Sequence, residues 1–263
     1  AALMRPGEDT LDRDAATDKS SPLVVGPQTM PTDESGWWET ERAAFIRSRI
    51  VDLTTSGDRI VDVGCGRGTM LDDSSLADRQ CIGVDGHIWP EWRSSSRLFL
   101  CAAADALPFR DGAFDLVGSF DVLEHLDDDD AGIIEQRRIL RRHGHMVTAV
   151  PADPRLWSAH DDAVGHKRRY TRASFLTLAT RCGLTPQGSS YFFSFLWLPA
   201  RLLRGSKLRR DEHGATTGVL GRLVRKAIGA LCAAERWFIA RRPLAFGSSL
   251  WIESVRSDAR DAT

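Results

Sequence analysis

Residues 60–63, Ile-Val-Asp-Val, run without a break into Gly64-Cys65-Gly66-Arg67-Gly68. A short apolar strand that ends in three alternate glycines restricts the fold more than any other feature of the chain. Glycine lets the backbone turn tightly and lets a ligand approach the main chain. In an open α/β sheet that place is the carboxyl end of a strand, near the point where the strand order reverses. A helix is expected to follow the loop, with its free N–H groups and positive dipole end aimed at an anionic or hydroxyl-rich ligand.

The segments downstream fit such a sheet. Ile60–Val63, Cys81–Val84, Leu98–Ala104, Phe114–Phe120 and His145–Val150 are short and nearly continuous in apolar character, as strands buried on both faces are. Intervening stretches such as Ala131–Arg142 have room for helices. This alternation predicts an α/β fold: Rossmann-like, doubly wound and mostly parallel, with helices on both faces. Ser190–Phe195 and Ser249–Val255 complete seven strands, about fifty residues apart. Within that interval Leu220, Leu223, Val224, Ala227, Ile228, Leu231 and Phe238 form an apolar helical stripe. Residues 1–35 lack periodicity and are expected to be a disordered tail, and 257–263 are a second tail. A single domain is expected over 36–256, with a cap helix at 36–53 and a helical basic insertion at about 196–243.

Composition narrows the setting. A formal net charge of −1 gives no global attraction to nucleic acid. Five scattered cysteines form no C-x-x-C pair, which argues against structural zinc and a disulfide framework and for a reducing cytoplasm. No signal-peptide pattern opens the sequence. The longest apolar stretch, Tyr191–Leu203, contains Pro199 and Arg201 and is well short of the ~20 residues that span a bilayer.

Asp85 ends the second strand, 21 residues after Gly64. A carboxylate about 20 residues beyond the glycines can hold ribose hydroxyls, a logic that nicotinamide enzymes share. Their fingerprint is G-x-G-x-x-G; here Thr69 stands at the last position and the third glycine is Gly68.

With these residues the sequence resembles the type-11 group of class I S-adenosylmethionine-dependent methyltransferases over roughly residues 58–152. Ile60–Gly68 is similar to their first motif and Gly83-Val84-Asp85 to the second. Ala104–Phe109 resembles the third, and Phe114–Val117 with Phe120–His125 the fourth. The resemblance implies a seven-stranded sheet with the last strand antiparallel and a helical insertion before it. It implies S-adenosylmethionine as cofactor, with S-adenosylhomocysteine as product. Cofactor contacts are expected at Asp62, Gly64, Cys65, Gly66, Gly68, Asp85, Gly86, Asp105, Ala106, Phe120, Asp121 and Val122. Asp105 would meet the adenine amino group, and residues 120–122 the methionine end. A bacterial subset of the group carries a similar G-H-x-R-R-Y stretch, here Gly165–Tyr170; in it Trp38 and Arg42 belong to a helix that closes over the cofactor.

The segment from Val150 to Tyr170 leaves the fifth strand beside that pocket with two histidines, several acids, three consecutive cations and aromatics. Methyl transfer requires alignment of a nucleophile and removal of a proton, and histidine is the natural base near neutral pH. His160, His166 and Tyr170 are the catalytic candidates; Asp161 or Tyr170 would orient one imidazole. The competing reading has the histidines bonding only loop backbone. Trp157, Asp161, Arg168 and Arg169 are candidates for the substrate side, the arginines pairing with a phosphate, a carboxylate or neighbouring acids. His160, Asp162 and His166 have metal-binding residue types, but no metal is assigned. Asp127–Asp130 reads as a helix start.

Residues 201–242 hold eleven Lys or Arg against three acids. The surplus fits a lid, an anionic membrane contact, a solvated helix face or a dimer contact. The expected function is methylation of an oxygen or nitrogen on a small-molecule acceptor, natural-product, sugar- or lipid-linked, by a cytoplasmic bacterial monomer or homodimer, without nucleic acid. The alternatives are a non-catalytic S-adenosylmethionine-binding partner protein and a nicotinamide-dependent oxidoreductase.

Overall fold

The computed structural model describes residues 37–202 and 218–257; the side chains of 37–39, 199–200 and 218–225 fall outside that description. The expected tail at 1–35, all but Ser257 of the expected tail at 257–263, and residues 203–217 of the basic insertion therefore lie outside the described residues.

Seven strands form one sheet: β1 Arg59–Val63, β2 Gln80–Asp85, β3 Leu98–Cys101, β4 Phe114–Phe120, β5 Leu140–Pro151, β6 Leu184–Phe192 and β7 Ser249–Arg256, in the order β3-β2-β1-β4-β5-β7-β6. β1 to β5 pair in parallel, and β7 runs antiparallel to both β5 and β6. Successive residues of a strand go to opposite faces, and both faces here are covered. In β1, Val61 and Val63 join Ile133 of α2 (Asp129–Ile139) and Phe175 and Leu178 of α4 (Arg172–Arg181). Ile60 joins Phe45, Ile46 and Ile50 of α1 (Trp37–Leu53) and Cys232 of α6 (Gly218–Ile239) on the other side. That double burial is why the strands read as continuous apolar runs. Phe45 anchors α1, stacked 5.2 Å from Phe192 and edge-on 5.4 Å from Trp251. Burying one such side chain is worth about 1.5–3 kcal/mol.

Four local expectations are corrected. No α-helix follows the glycine loop. Turns lead into a single 3-10 turn at Ser74–Leu76, where the Asp73 carboxylate accepts from the Ser75 N–H. Asp and Ser side chains offer the backbone such alternatives to helix, so no macrodipole faces the loop.

α2 stops at Ile139 and β5 begins at Leu140, because Leu140 pairs with Phe114 and Arg141 Nε donates to Asp115 Oδ1 at 2.5 Å. β6 starts six residues early, at Leu184, as the edge strand on β7, and ends at Phe192. There Phe193 takes a left-handed φ of 55°, and the chain enters α5 (Ser194–Leu202). The Glu235 carboxylate secures this turn, accepting from the N–H groups of Phe193 and Ser194 at 2.7 Å each.

The inward face of α6 is Ile228, Cys232 and Ile239, while Leu231 and Phe238 are exposed. The predicted stripe is thus rotated, since Arg236 pairs with Glu41 of α1 and Glu235 caps α5. No helix among the described residues is long and apolar enough to cross a membrane.

Candidate functional site

The chain leaves β1 toward β2 on one side and returns to β4 on the other, so strand order reverses between β1 and β4. A crevice opens at the carboxyl ends of such a pair. The glycine loop forms one wall and residues 121–125 the other.

The loop turns off β1 through two N–H donors, Gly64 and Cys65, both on the Val84 carbonyl at 2.7 and 3.0 Å. Gly64, Gly66 and Gly68 all have positive φ. A Cβ on Gly64 would stand 2.2 Å from Val122, and one on Gly68 would stand 2.3 Å from the Phe99 ring. These two glycines allow close packing. At Gly66 and Gly86 a Cβ would meet nothing within 4 Å, so the backbone there faces open space. Asp85 Oδ2 accepts from the Gly66 N–H, and Oδ1 from the His87 N–H, each at 2.9 Å. Trp92 Nε1 donates to the Gly66 carbonyl at 2.9 Å, and its ring stacks 5.0 Å from Phe99. Cys65 directs its sulfur toward the Gly66 carbonyl, and burial pushes its thiol well above the usual range, which leaves no thiolate. Asp105 and Ala106 lie exposed beyond β3.

Across the crevice, Asp121 takes a φ of 54° and pairs with Arg42 of α1 at 2.7 Å. Phe120 and Val122 flank it, and the Trp38 side chain lies outside the described residues. Asp62 is buried beneath the loop, and its Oδ1 has no hydrogen-bond partner among the described residues. Burial, offset in part by Arg42 and reinforced by Asp85, raises its pKa to about 7. A carboxyl whose folded pKa exceeds its unfolded one stabilises the fold fully below about pH 4 and loses that contribution as pH rises toward 7. Asp62→Asn should therefore gain stability relative to the native chain by about 2–4 kcal/mol between pH 4.5 and 8. Urea denaturation at the two pH values reads this; a constant difference would contradict it.

This crevice fits S-adenosylmethionine on the chain's own features. Asp85 keeps lone pairs for ribose hydroxyls, Gly66 and Gly86 leave backbone open to a ligand, and Asp62 Oδ1 is a buried acceptor lacking a donor.

The segment after β5 lies beside the crevice. Asp161, in the short helix α3 (Ala159–Ala163), is completely buried. It accepts from the Ser158 N–H and hydroxyl at 2.8 and 2.9 Å and from Arg169 Nε at 2.7 Å. His166 Nδ1 lies 2.8 Å from Asp161 Oδ1, so Asp161 is the group that orients this imidazole. His160 is exposed, its ring 6.5 Å from that of His166. Tyr170 is placed otherwise: it is buried against Phe175, and its hydroxyl donates to Asp129 Oδ2 at 2.9 Å. Burial and then Asp129 hold its pKa far above the usual range. That geometry braces the loop on α2 and is not that of a proton carrier. Arg168 pairs with Asp129 at 2.7 Å and Arg169 with Asp161, so both guanidiniums are engaged by protein acids. Trp157 Nε1 donates to Asp162 Oδ1 at 3.0 Å, with the ring at the surface.

Sequence reasoning missed Trp92 and Phe99, which support the glycine loop, and assigned no role to Glu124 or His125. Nothing local marks them. Glu124 and His125 reach His166 only through the fold, their oxygen and nitrogen ligand atoms lying within 4.8 Å of one another.

A 3-2-1-4-5-7-6 sheet with an antiparallel last strand and a glycine loop after β1 defines the class I methyltransferase architecture. Residues 61–148 match the family model described as a methyltransferase domain. A probable S-adenosylmethionine-dependent methyltransferase of Mycobacterium tuberculosis (strain H37Rv) is 29% identical over 154 residues, 56% of each chain. The 27-O-demethylrifamycin SV methyltransferase of Amycolatopsis mediterranei is 26% identical over 131 residues, covering 43% of this chain and 48% of that one. The chain thus spans about half the length of the curated relatives it matches. Among solved structures, a geranyl diphosphate methyltransferase in complex with GPP and sinefungin superposes with a TM-score of 0.57 at 19% identity, covering 83% of this chain and 78% of that one. Residues 61–148 thus carry a methyltransferase domain, similar to S-adenosylmethionine-dependent methyltransferases of the type-11-like group, whose cofactor is S-adenosylmethionine. The nicotinamide alternative falls with that match.

Proposed function

We propose that the protein methylates an oxygen or nitrogen of a small-molecule acceptor. The acceptor would enter between the loop after β4 and the segment 157–170. The observation that carries this reading is the imidazole of His166, locked by buried Asp161 and facing the interior beside the cofactor crevice. S-adenosylmethionine supplies an electrophilic methyl group on a sulfonium. Asp85 and the glycine loop would hold its ribose, and Asp62 and Arg42 would border its amino-acid end. The His160–His166 pair would accept the acceptor's proton, a contribution of about 10²–10⁴ in rate. The cytoplasm as location is part of the same proposal.

The test is transfer of labelled methyl from S-adenosylmethionine into a small-molecule extract of the source cells. His160→Ala or His166→Ala should lower it at least 100-fold while cofactor affinity stays within threefold. Unchanged transfer in both variants would remove the histidines from the mechanism, and binding without any transfer would favour a non-catalytic partner protein.

A further inference from the structure

Glu124 sits on the single 3-10 turn Leu123–His125 after β4. It is completely buried, and neither carboxylate oxygen has a hydrogen-bond partner among the described residues. An isolated buried carboxylate is costly and needs a proton or a cation. Asp121 beside it adds like charge, while Arg42 and Arg169 lie on the opposing side of the balance. Two imidazoles complete the surroundings. His125 comes from the same turn, and His166 from the loop after α3, their rings 4.8 Å apart. His166 Nε2 is 3.9 Å from Glu124 Oε1, and one ligand atom from each of the three residues lies within 4.8 Å of the other two.

We propose that Glu124, His125 and His166 form a site for a first-row divalent cation of the zinc class, with Asp161 as the positioning residue. Two imidazole nitrogens and one carboxylate suit zinc, iron or manganese; magnesium prefers an all-oxygen shell. Ligands about 2.1 Å from one ion stand about 3.4 Å apart in a tetrahedron. The cluster would close by about 1 Å, within reach of side-chain rotation. Metal-bound histidines donate their other ring N–H to a carboxylate or carbonyl. His166 Nδ1 already meets Asp161, and the Gly165 backbone bonds His125.

Three protein ligands leave a coordination position open, which can take an acceptor hydroxyl and lower its pKa. Only this last service rests on the methyltransferase reading. An ion on His166 Nε2 would also leave proton removal to His160.

The test reads metal binding directly. Chelator-treated protein is titrated with zinc alone by calorimetry, and with cobalt for its visible ligand-field bands. The expected result is one ion per chain with micromolar or tighter affinity, and much weaker uptake of magnesium. Glu124→Gln should weaken zinc at least tenfold and His166→Ala at least 100-fold. Asp161→Asn should cost about 10–100-fold. His160→Ala should retain zinc, as should His143→Ala, an exposed position in the first half of β5. Near-UV dichroism confirms that each variant is folded. Substoichiometric uptake at 100-fold excess over the chain, or zinc affinity unchanged in both Glu124→Gln and His166→Ala, overturns the site. Titration with S-adenosylmethionine on the same samples separates the two ideas: a chain that binds cofactor but not zinc loses only the metal site.

Discussion

Asp85→Ala is expected to raise the dissociation constant for S-adenosylmethionine at least 100-fold while the chain stays folded. The Asp85 carboxylate holds the Gly66 and His87 N–H groups at 2.9 Å each. Hydrogen bonds to a charged group contribute about 1.5–3 kcal/mol apiece, and 100-fold in affinity corresponds to about 2.7 kcal/mol. Losing the loop's brace and the acceptor for ribose hydroxyls together exceeds that. Gly66 is held from both sides, its N–H by Asp85 and its carbonyl by Trp92, so removing the carboxylate leaves the loop held there from one side only. Asp85→Asn keeps one acceptor oxygen and should fall between alanine and the native residue. Calorimetric titration with S-adenosylmethionine and S-adenosylhomocysteine measures this. An alanine variant within threefold of the native chain would show that the glycine loop is not held by this carboxylate.

Asp161→Ala should be the most destabilising single change at the site. Four donors converge on a side chain with no exposure: the Ser158 N–H and hydroxyl, His166 and Arg169. Removing one partner of a buried ion pair costs about 3–5 kcal/mol, because the other charge stays buried. Arg169 would be that charge, since its remaining contact, to the Ala152 carbonyl, is neutral. At about 2–4 °C per kcal/mol for a chain of this size, the melting temperature should fall by roughly 6–20 °C. The pH dependence has a definite sign. Burial alone would raise the pKa of Asp161, but Arg169 and His166 outweigh it and bring the carboxyl down to about 2. Its stabilisation is therefore complete above about pH 4 and is lost as pH falls toward 2. The gap between native chain and variant should narrow over that window. Denaturant melts at pH 7 and pH 3 give both numbers, and a loss below about 1 kcal/mol at pH 7 would mean the network relaxes around the missing carboxylate.

The two variants probe parts of the site that differ in how visible they were beforehand. β1, β2 and β4 could be read to within a residue at each end, because burial on both faces writes an unbroken apolar run, whereas β5 begins five residues before the expected His145 and β3 ends three before the expected Ala104. Phe114–Phe120 has the same limits in sequence and structure. β6 was harder to read. As an edge strand its first half is polar, and only pairing with β7 makes it a strand. The helix expected after the glycines failed because Asp72, Asp73, Ser74 and Ser75 favour local turns. For α6, the apolar stripe identified a helix but not its orientation, which Glu41 and the turn at Phe193 decide.

By itself, then, the sequence determined the α/β class, the positions of β1, β2 and β4 and the loop at Gly64–Gly68, since periodicity, spacing and glycine content are local properties that act wherever they occur. Only the tertiary structure decided what each site residue does. Asp161, His166 and Arg169 share one charge network, Tyr170 leaves it for Asp129, and Glu124 and His125 meet His166 across 41 residues of chain. Such pairings depend on which strand ends the sheet order brings together. No local pattern encodes that order, because its energy lies in contacts between segments remote in sequence.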